Sequence, residues 1–529
     1  MELLDALAAM AGDDTIAVSA AAAGFLARHF DLARLPAPGP GDTAAYVLRG
    51  RESGLTASAH RTAFVGRREE LELLRSRLAS ALAGHGQVVA VVGEAGIGKS
   101  RLIFEWRQSL SPDEVLLLEG HCHPHGTSLP FLPVIEIVRH ALRITEADGP
   151  DRVQEKVRGA LDRLGLASDE MAPYLLHFLG SSAASAEMAT RSPEAVHART
   201  LEILRAVSLR ASRALRPIVM IVEDLHWIDH ASAAYLTSIV GSLAGAPVMV
   251  VVTYRQGYQP AWLHRSYVTQ VGLAPLSSED SRRALQSLLP ATGLPPGATD
   301  AILARAEGNP FFLEELTHTL ARAGQTGVPT VPGTVHEVLL ARIERLPEAE
   351  RELLQAASVV GRDFPAALLD AMIEGDVDVD ARLTALVEAE FLYEALVADE
   401  PVYAFKHALT HDVAYGSLAP ARRRELHAAA ARALEARFAD RLDDGLDQIA
   451  FHYGASDLHE PATRHLARAA RRSAERYANV EAVALLDQAL VHAERLEPPE
   501  RRDRTVIGLA FAQTHSLGLL GQFQTTLEP

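Results

Sequence analysis

The sequence predicts a parallel α/β domain followed by a long helical region, and three observations carry that prediction. Between Phe64 and about Val271, apolar β-branched segments alternate with amphipathic helical stretches, the pattern of a parallel sheet covered on both faces. From Ser277 onward the apolar spacing is almost only helical. A glycine-rich loop, Gly93-Glu94-Ala95-Gly96-Ile97-Gly98-Lys99-Ser100, lies directly between an apolar strand and a helix. The length of 529 residues argues for three to four domains at roughly 150 residues each.

Composition narrows the class. With 48% hydrophobic and 22% charged residues the chain can bury sizeable cores and is not mainly disordered. A formal charge of −17 opposes the phosphate-directed field that nucleic-acid binding demands, so a nucleic-acid reader is disfavoured. Cys122 is the single cysteine, which excludes an internal disulfide and fits a reducing, cytoplasmic setting. The longest apolar run, Ile16 to Ala27, is mostly alanine and falls short of the roughly 20 residues that span a bilayer, and the start Met1-Glu2-Leu3-Leu4-Asp5 is acidic where a secretory signal is basic.

Taken in order, residues 1–60 begin alanine-rich and helical, pass Pro36-Ala37-Pro38-Gly39-Pro40-Gly41, and give a short β-like piece at Ala44 to Leu48. The clearest strands of the next segment are Val88 to Val92, Val115 to Leu118, Ile218 to Val222 and Val248 to Thr253. In the helical region Glu307-Gly308-Asn309-Pro310 ends one helix and starts another, with Pro310 in the first turn, where its missing N–H costs little. Residues 334–410 hold three or four helices and then Tyr403-Ala404-Phe405, a β piece after an acidic loop, which together suggest a winged-helix unit. From about His427 the helices carry small residues at close spacing, as in Glu481-Ala482, Leu486, Ala489 and Leu490. The expected domains are 1–60, 61–275, 276–332, 333–425 and 426–529.

The glycine-rich loop satisfies G-x-x-x-x-G-K-[ST] in the required strand–loop–helix context. Its glycines let backbone N–H groups converge on a phosphate, and the following helix N-terminus, near Arg101, adds its positive end. Lys99 is placed to bridge the β- and γ-phosphates of ATP, and Ser100 to coordinate Mg2+. Such a loop needs an acid at a neighbouring strand end to hold the metal and polarise water. Ile218 to Val222, ending in Glu223-Asp224 about 125 residues later, supplies it. The strand Val248 to Val252 ends in Thr253-Tyr254-Arg255, and Arg255 can reach the γ-phosphate.

Together with Phe64-Val65-Gly66-Arg67 ahead of a Leu-rich helix, Leu225-His226-Trp227-Ile228-Asp229 after the acid pair, and Gly308-Asn309-Pro310-Phe311-Phe312, these motifs occur in a familiar order. Over about residues 62–529 the chain resembles the STAND class of AAA-related P-loop ATPases, signal-transduction ATPases with numerous domains. More narrowly, it is similar to bacterial proteins in which such an ATPase follows a class III adenylate/guanylate cyclase domain and precedes tetratricopeptide repeats. The implied fold is an α/β P-loop NTPase followed by an all-α lid, a winged-helix unit and tetratricopeptide-like helical repeats. The resemblance implies that Val65, Gly66 and Arg67 pack on adenine and ribose, that Arg255 is a sensor, and that Pro310 is the lid proline over the base. Phe405-Lys406-His407-Ala408-Leu409 resembles the winged-helix motif whose histidine touches the β-phosphate of ADP, which makes His407 a candidate. Arg68 stands where the family usually has an acid, and Glu223 where it more often has aspartate, which leaves the roles of Glu223 and Asp224 undivided.

Thr15 to Ser19 and Ala45 to Leu48 resemble the tail of a cyclase domain, whose catalytic residues have no room here, so cyclase activity is not expected from this chain. The last ninety or so residues hold fewer than three 34-residue repeats, which suits a fragment or truncated relative. His121-Cys122-His123-Pro124-His125 is not expected to bind zinc, because neighbouring strand residues face opposite ways. Arg422-Arg423-Arg424 reads as a solvated helix start. The expected function is a switch that binds ATP, hydrolyses it slowly, and couples its nucleotide state to self-association and to a protein or peptide partner on the helical repeats. The alternatives are a scaffold that holds ADP with a vestigial ATPase, and the ATPase module of a LuxR-type transcriptional regulator.

Overall fold

The computed structural model describes residues 16–19, 30–34, 45–51 and 63–521, apart from 123–129, 146–147, 189, 289–296, 323–333, 374, 376–377 and 398–399. Of the His121 to His125 cluster, His123 and His125 therefore lie outside the described residues. The chain divides into two compact units, one of residues 64–333 with 419–529 and the other of residues 1–63 with 334–418.

The smaller unit begins with strands β1 (Ile16–Ser19), β2 (Phe30–Arg34) and β3 (Ala45–Arg51), which form an antiparallel sheet in the order β1-β3-β2.

In the larger unit, helix α1 (Arg68–Leu82) leads into β4 (Gln87–Val92), α2 (Lys99–Gln108) and β5 (Leu116–His121). Five helices follow: α3 (Leu132–Ala141), α4 (Pro150–Arg163), α5 (Ser168–Phe178), α6 (Ser182–Met188) and α7 (Pro193–Ala214). Next come β6 (Ile218–Glu223), α8 (His230–Gly241), β7 (Val248–Tyr254) and β8 (Val268–Gly272). The five strands form one parallel sheet in the order β5-β6-β7-β4-β8. Its two faces explain the continuous apolar runs. Val88 and Ala90, Ile218 and Met220, and Val248 and Val250 share one core. Val89, Val91, Val219, Ile221, Met249 and Val251 share the other. Successive side chains alternate sides, so a strand buried on both faces must be apolar at every position. Trp106, Leu102 and Leu74 from α1 and α2 cover one face, while Ile137, Leu161, Ile203 and Tyr235 from α3, α4, α7 and α8 cover the other. The fifth strand, β8, was not singled out in the sequence because only Val271 of its five residues is buried.

Helices α9 (Ser278–Leu288), α10 (Ala298–Ala306) and α11 (Pro310–Arg322) follow the sheet. The smaller unit continues with α12 (Val335–Glu344), α13 (Glu348–Val360), β9 (Asp363–Pro365), α14 (Ala366–Met372) and α15 (Val379–Glu388). It closes with β10 (Leu392–Val397), β11 (Glu400–Phe405) and α16 (Ala408–Gly416). Its strands pair antiparallel in the order β10-β11-β9, around a core that includes Leu354, Phe364, Leu386, Phe391 and Phe405. The sequence-predicted piece at Tyr403 to Phe405 is thus the end of a hairpin, joined by the three-residue β9, which is too short for its periodicity to be read.

The chain ends as helices α17 (Pro420–Arg437), α18 (Leu442–Gly454), α19 (His459–Glu475), α20 (Asn479–Ala493) and α21 (Pro499–Leu519), each packed on the next. Alanines 462, 469, 482, 489 and 493 are fully buried, which lets these helices approach closely. The arginines at positions 422–424 fall in the first turns of α17, and Arg424 pairs with Asp457. Among the described residues no helix is long and apolar enough to cross a membrane.

Candidate functional site

The glycine-rich loop leaves β4 after Val92 and enters α2 at Lys99. Gly96 (φ 76°) and Gly98 (φ 101°) take left-handed backbone, which explains glycine at both positions. Around this turn the backbone carbonyls are taken up one after another. Lys99 Nζ donates to Gly93 O and Glu94 O, each at 2.9 Å, Asn309 Nδ2 donates to Ala95 O at 3.2 Å, and the Phe311 N–H donates to Gly96 O at 3.4 Å. Arg67 Nη2 donates to Ile97 O at 3.3 Å, and the Leu102 N–H donates to Gly98 O at 2.9 Å.

Lys99 is only 8% exposed. Burial lowers its pKa, Asp224 opposes that shift, Arg255 adds to it, and Glu94 and Glu223 oppose it. These side chains therefore share one electrostatic neighbourhood. The sheet order explains why. Strand β7 lies between β4 and β6, so Arg255, directly after β7, emerges between the loop and the acid pair.

Ser100 Oγ donates to Glu223 Oε2 at 2.6 Å, across 123 residues of sequence. Asp224 follows with left-handed backbone (φ 57°), and its N–H donates to Thr253 Oγ1 at 2.9 Å. Thr253 is fully buried at the end of β7, so the turn carrying the acids is tied to the strand carrying Arg255.

The other candidates of the larger unit flank the glycine-rich loop. Gly66 and Arg67 form a left-handed turn ahead of α1, and Arg67 Nη2 also donates to Ala274 O at 2.6 Å. Arg67 thus fastens the phosphate loop to the segment after β8, a contact its motif does not disclose. Val65 is half-buried beside it, and a Cβ on Gly66 would come within 3.3 Å of Asp280 in α9. Arg101 Nε donates to Glu105, and its guanidinium lies 5.8 Å from the centre of the Phe64 ring. Pro310 is the first residue of α11, whose start packs on the loop. His407 lies in the smaller unit as the N-cap residue of α16, with its carbonyl accepting from the Thr410 N–H at 2.9 Å.

A buried junction that sequence reasoning missed lies beyond the acid pair. Asp229, 1% exposed, caps α8: its Oδ1 accepts from the N–H groups of Ser232 at 2.8 Å and Phe131 at 3.0 Å. Glu481 of α20, 2% exposed, accepts from the next N–H of the same turn, Ala231, at 3.1 Å. Burial pushes the Asp229 carboxyl up to about 6, and the Glu481 charge adds to that shift. Nearby, His197 Nδ1–H donates to Arg476 O at 3.0 Å, and its ring lies 5.5 Å from Tyr477 and 5.8 Å from Phe131. The C-terminal helices are therefore docked on the sheet-bearing body through α7 and the start of α8.

Residues 63–251 match the family model of the AAA ATPase domain. That ATPase segment contains the phosphate loop and the acid pair and ends within β7. An uncharacterised protein of Rhizobium meliloti (strain 1021) is 30% identical over 444 residues, which cover 80% of this chain and 42% of that protein. The chain thus spans less than half the length of that curated relative. Among solved structures, a signal transduction ATPase with numerous domains and a tetratricopeptide repeat sensor, from Pyrococcus horikoshii, is similar at 14% identity. The match has a TM-score of 0.46 and covers 88% of this chain and 64% of that one. The Orc1 protein of Aeropyrum pernix, solved in complex with DNA, is similar at 14% identity with a TM-score of 0.30, over 69% of this chain and 95% of that one. The ATPase segment has a P-loop ATPase-like fold, and a large helical region follows it.

Proposed function

We propose that the chain is a nucleotide-dependent signalling switch of the STAND type, which binds MgATP, hydrolyses it slowly, and passes its nucleotide state to a protein or peptide partner through the C-terminal helices. The observation that carries this reading is the convergence of Lys99, Ser100, Glu223, Asp224 and Arg255 where β4, β6 and β7 end. The residues fit the ligands. The loop's carbonyls are engaged and a buried ammonium stands beside it, which suits the phosphates, and a hydroxyl hydrogen-bonded to a carboxylate is a donor set suited to a hard divalent cation. Bound Mg2+ supplies charge neutralisation at the phosphates. Lys99 then exchanges its two backbone carbonyls for phosphate oxygens, Ser100 and Glu223 hold the metal, and Asp224 orients and deprotonates the attacking water. Arg255 stands between loop and acids and reports the γ-phosphate.

Val65, Gly66, Arg67 and Pro310 line the base side in this reading, and residues 333–425 act as a winged-helix unit in which His407 favours ADP. The repeats receive the input, and the ATP state self-associates. The deciding experiment is extraction of the purified chain and identification of the nucleotide that comes with it, followed by phosphate-release kinetics for wild type and Lys99→Ala. Co-purifying ADP and slow, Lys99-dependent turnover support the switch. Bound nucleotide with no turnover supports an ADP-holding scaffold, and no affinity for ATP or ADP sinks both.

A further inference from the structure

The side chain of Asn309 serves two segments at once. Its Oδ1 accepts from the N–H groups of Phe311 at 3.1 Å and Phe312 at 3.2 Å, which caps the start of α11. Its Nδ2 donates to Ala95 O, 214 residues earlier in the phosphate loop. The two segments are in tight contact here. A Cβ on Gly96 would lie 3.0 Å from Phe311 Cβ and 3.1 Å from Asn309 Oδ1, so glycine at position 96 is what admits the helix start. Gly308 is locked in turn. Its carbonyl accepts from the Leu276 N–H at 2.8 Å, its φ is 77°, and a Cβ there would come within 2.4 Å of Leu276 O.

A loop that binds phosphate through its N–H groups must turn its carbonyls outward, and whatever holds those carbonyls fixes the cradle. Lys99 holds two of them only until phosphate draws its ammonium away. Asn309 holds Ala95 O with a neutral amide that does not compete for phosphate. We infer that Asn309 is a positioning residue of the nucleotide site, which fastens the cap of α11 to the phosphate loop and so sets how long a bound nucleotide is retained.

This rests on the reading of the site as an ATP/ADP site. The test uses a fluorescent ADP analogue chased from the full chain in stopped flow. Asn309→Asp and Asn309→Ser both keep an acceptor for capping α11, but the carboxylate has no donor and the serine hydroxyl sits one bond short of where Nδ2 meets Ala95 O. Both are expected to melt within a few degrees of wild type without nucleotide and to release the analogue about tenfold faster or more. A wild-type release rate in either folded variant overturns the inference. Should the aspartate variant fail to fold, the serine variant decides alone. If wild type does not bind the analogue at all, the nucleotide reading falls, and this inference falls with it.

Discussion

Ser100 Oγ donates to Glu223 Oε2 across 2.6 Å, so the hydroxyl in the first turn of α2 and the carboxylate that ends β6 are in register with each other. In the proposed switch Glu223 serves the cation, and Asp224, whose N–H is held by Thr253, serves the water. Glu223→Gln and Asp224→Asn are both expected to bind ATP with wild-type affinity and to lower turnover by about 10²-fold or more. Titration calorimetry and phosphate release check this together. Equal loss of binding in both variants would make the strand end structural.

Lys99→Ala is expected to weaken ATP binding by about 10²-fold or more, because the phosphates lose their main side-chain cation. Burial also lowers the Lys99 pKa below the ordinary lysine value, so the ammonium gives up its proton at a lower pH than a free side chain does. Affinity should therefore fall with rising pH at a lower pH than an ordinary lysine would give, and Lys99→Arg should flatten that slope. A slope identical in both proteins would place the titrating group elsewhere.

The carboxyl of Asp229 titrates near 6 in the folded chain, against 3.8 ordinarily. The folded state then holds the proton more tightly than the unfolded state, so this group's contribution to stability grows as pH falls from about 6 to about 4. Above pH 6 its full cost stands, roughly 3 kcal/mol for a shift of this size. Asp229→Asn keeps the oxygen that accepts from Ser232 and Phe131 and removes the charge facing Glu481. It should raise the melting temperature by a few degrees at pH 7.5 and change little near pH 4. A lower melting temperature at pH 7.5 with the same pH dependence would refute the charge argument.

His407→Ala is expected to weaken ADP binding far more than ATP binding, by a factor of roughly 5 to 150 for a coupling of about 1 to 3 kcal/mol, and to shift the chain toward self-association. Paired affinity measurements with sedimentation velocity decide it. An unchanged ADP/ATP ratio with only a lower melting temperature would make His407 a packing residue.

What the sequence disclosed depended on how local the physics was. Gly93 to Ser100 could be read because strand, turn and helix start are consecutive, and Glu223-Asp224 because the apolar strand they end follows that loop by about 125 residues. The placing of β7 between β4 and β6 could not be read, since parallel strands of equal hydrophobicity carry no record of their neighbours. Arg67 was legible as part of a base-binding segment, but not the bonds its guanidinium makes to Ile97 O and to Ala274 O, 207 residues away in the second case. Asn309 was legible as a turn residue and not as a donor to Ala95. Glu481 looked like one more polar position on a repeat helix, because nothing within α20 records that its partner is Ala231.

The capping of Ala231 by Glu481 has a consequence for the order in which the protein can mature. The two residues are separated by 250 positions. At about 5 to 20 residues per second, a ribosome that has just completed the turn at Ala231 needs roughly 12 to 50 s more to deliver its partner. Throughout that interval the Ala231 N–H and the His197 ring lack their partners Glu481, Arg476 and Tyr477. Nascent chains arrested before residue 470 should therefore be cut by protease near α7 and α8 or be held by a chaperone, and chains released after residue 493 should resist cleavage there. In that order of events, α19 and α20 are the pieces that complete the cover over α7 and the start of α8.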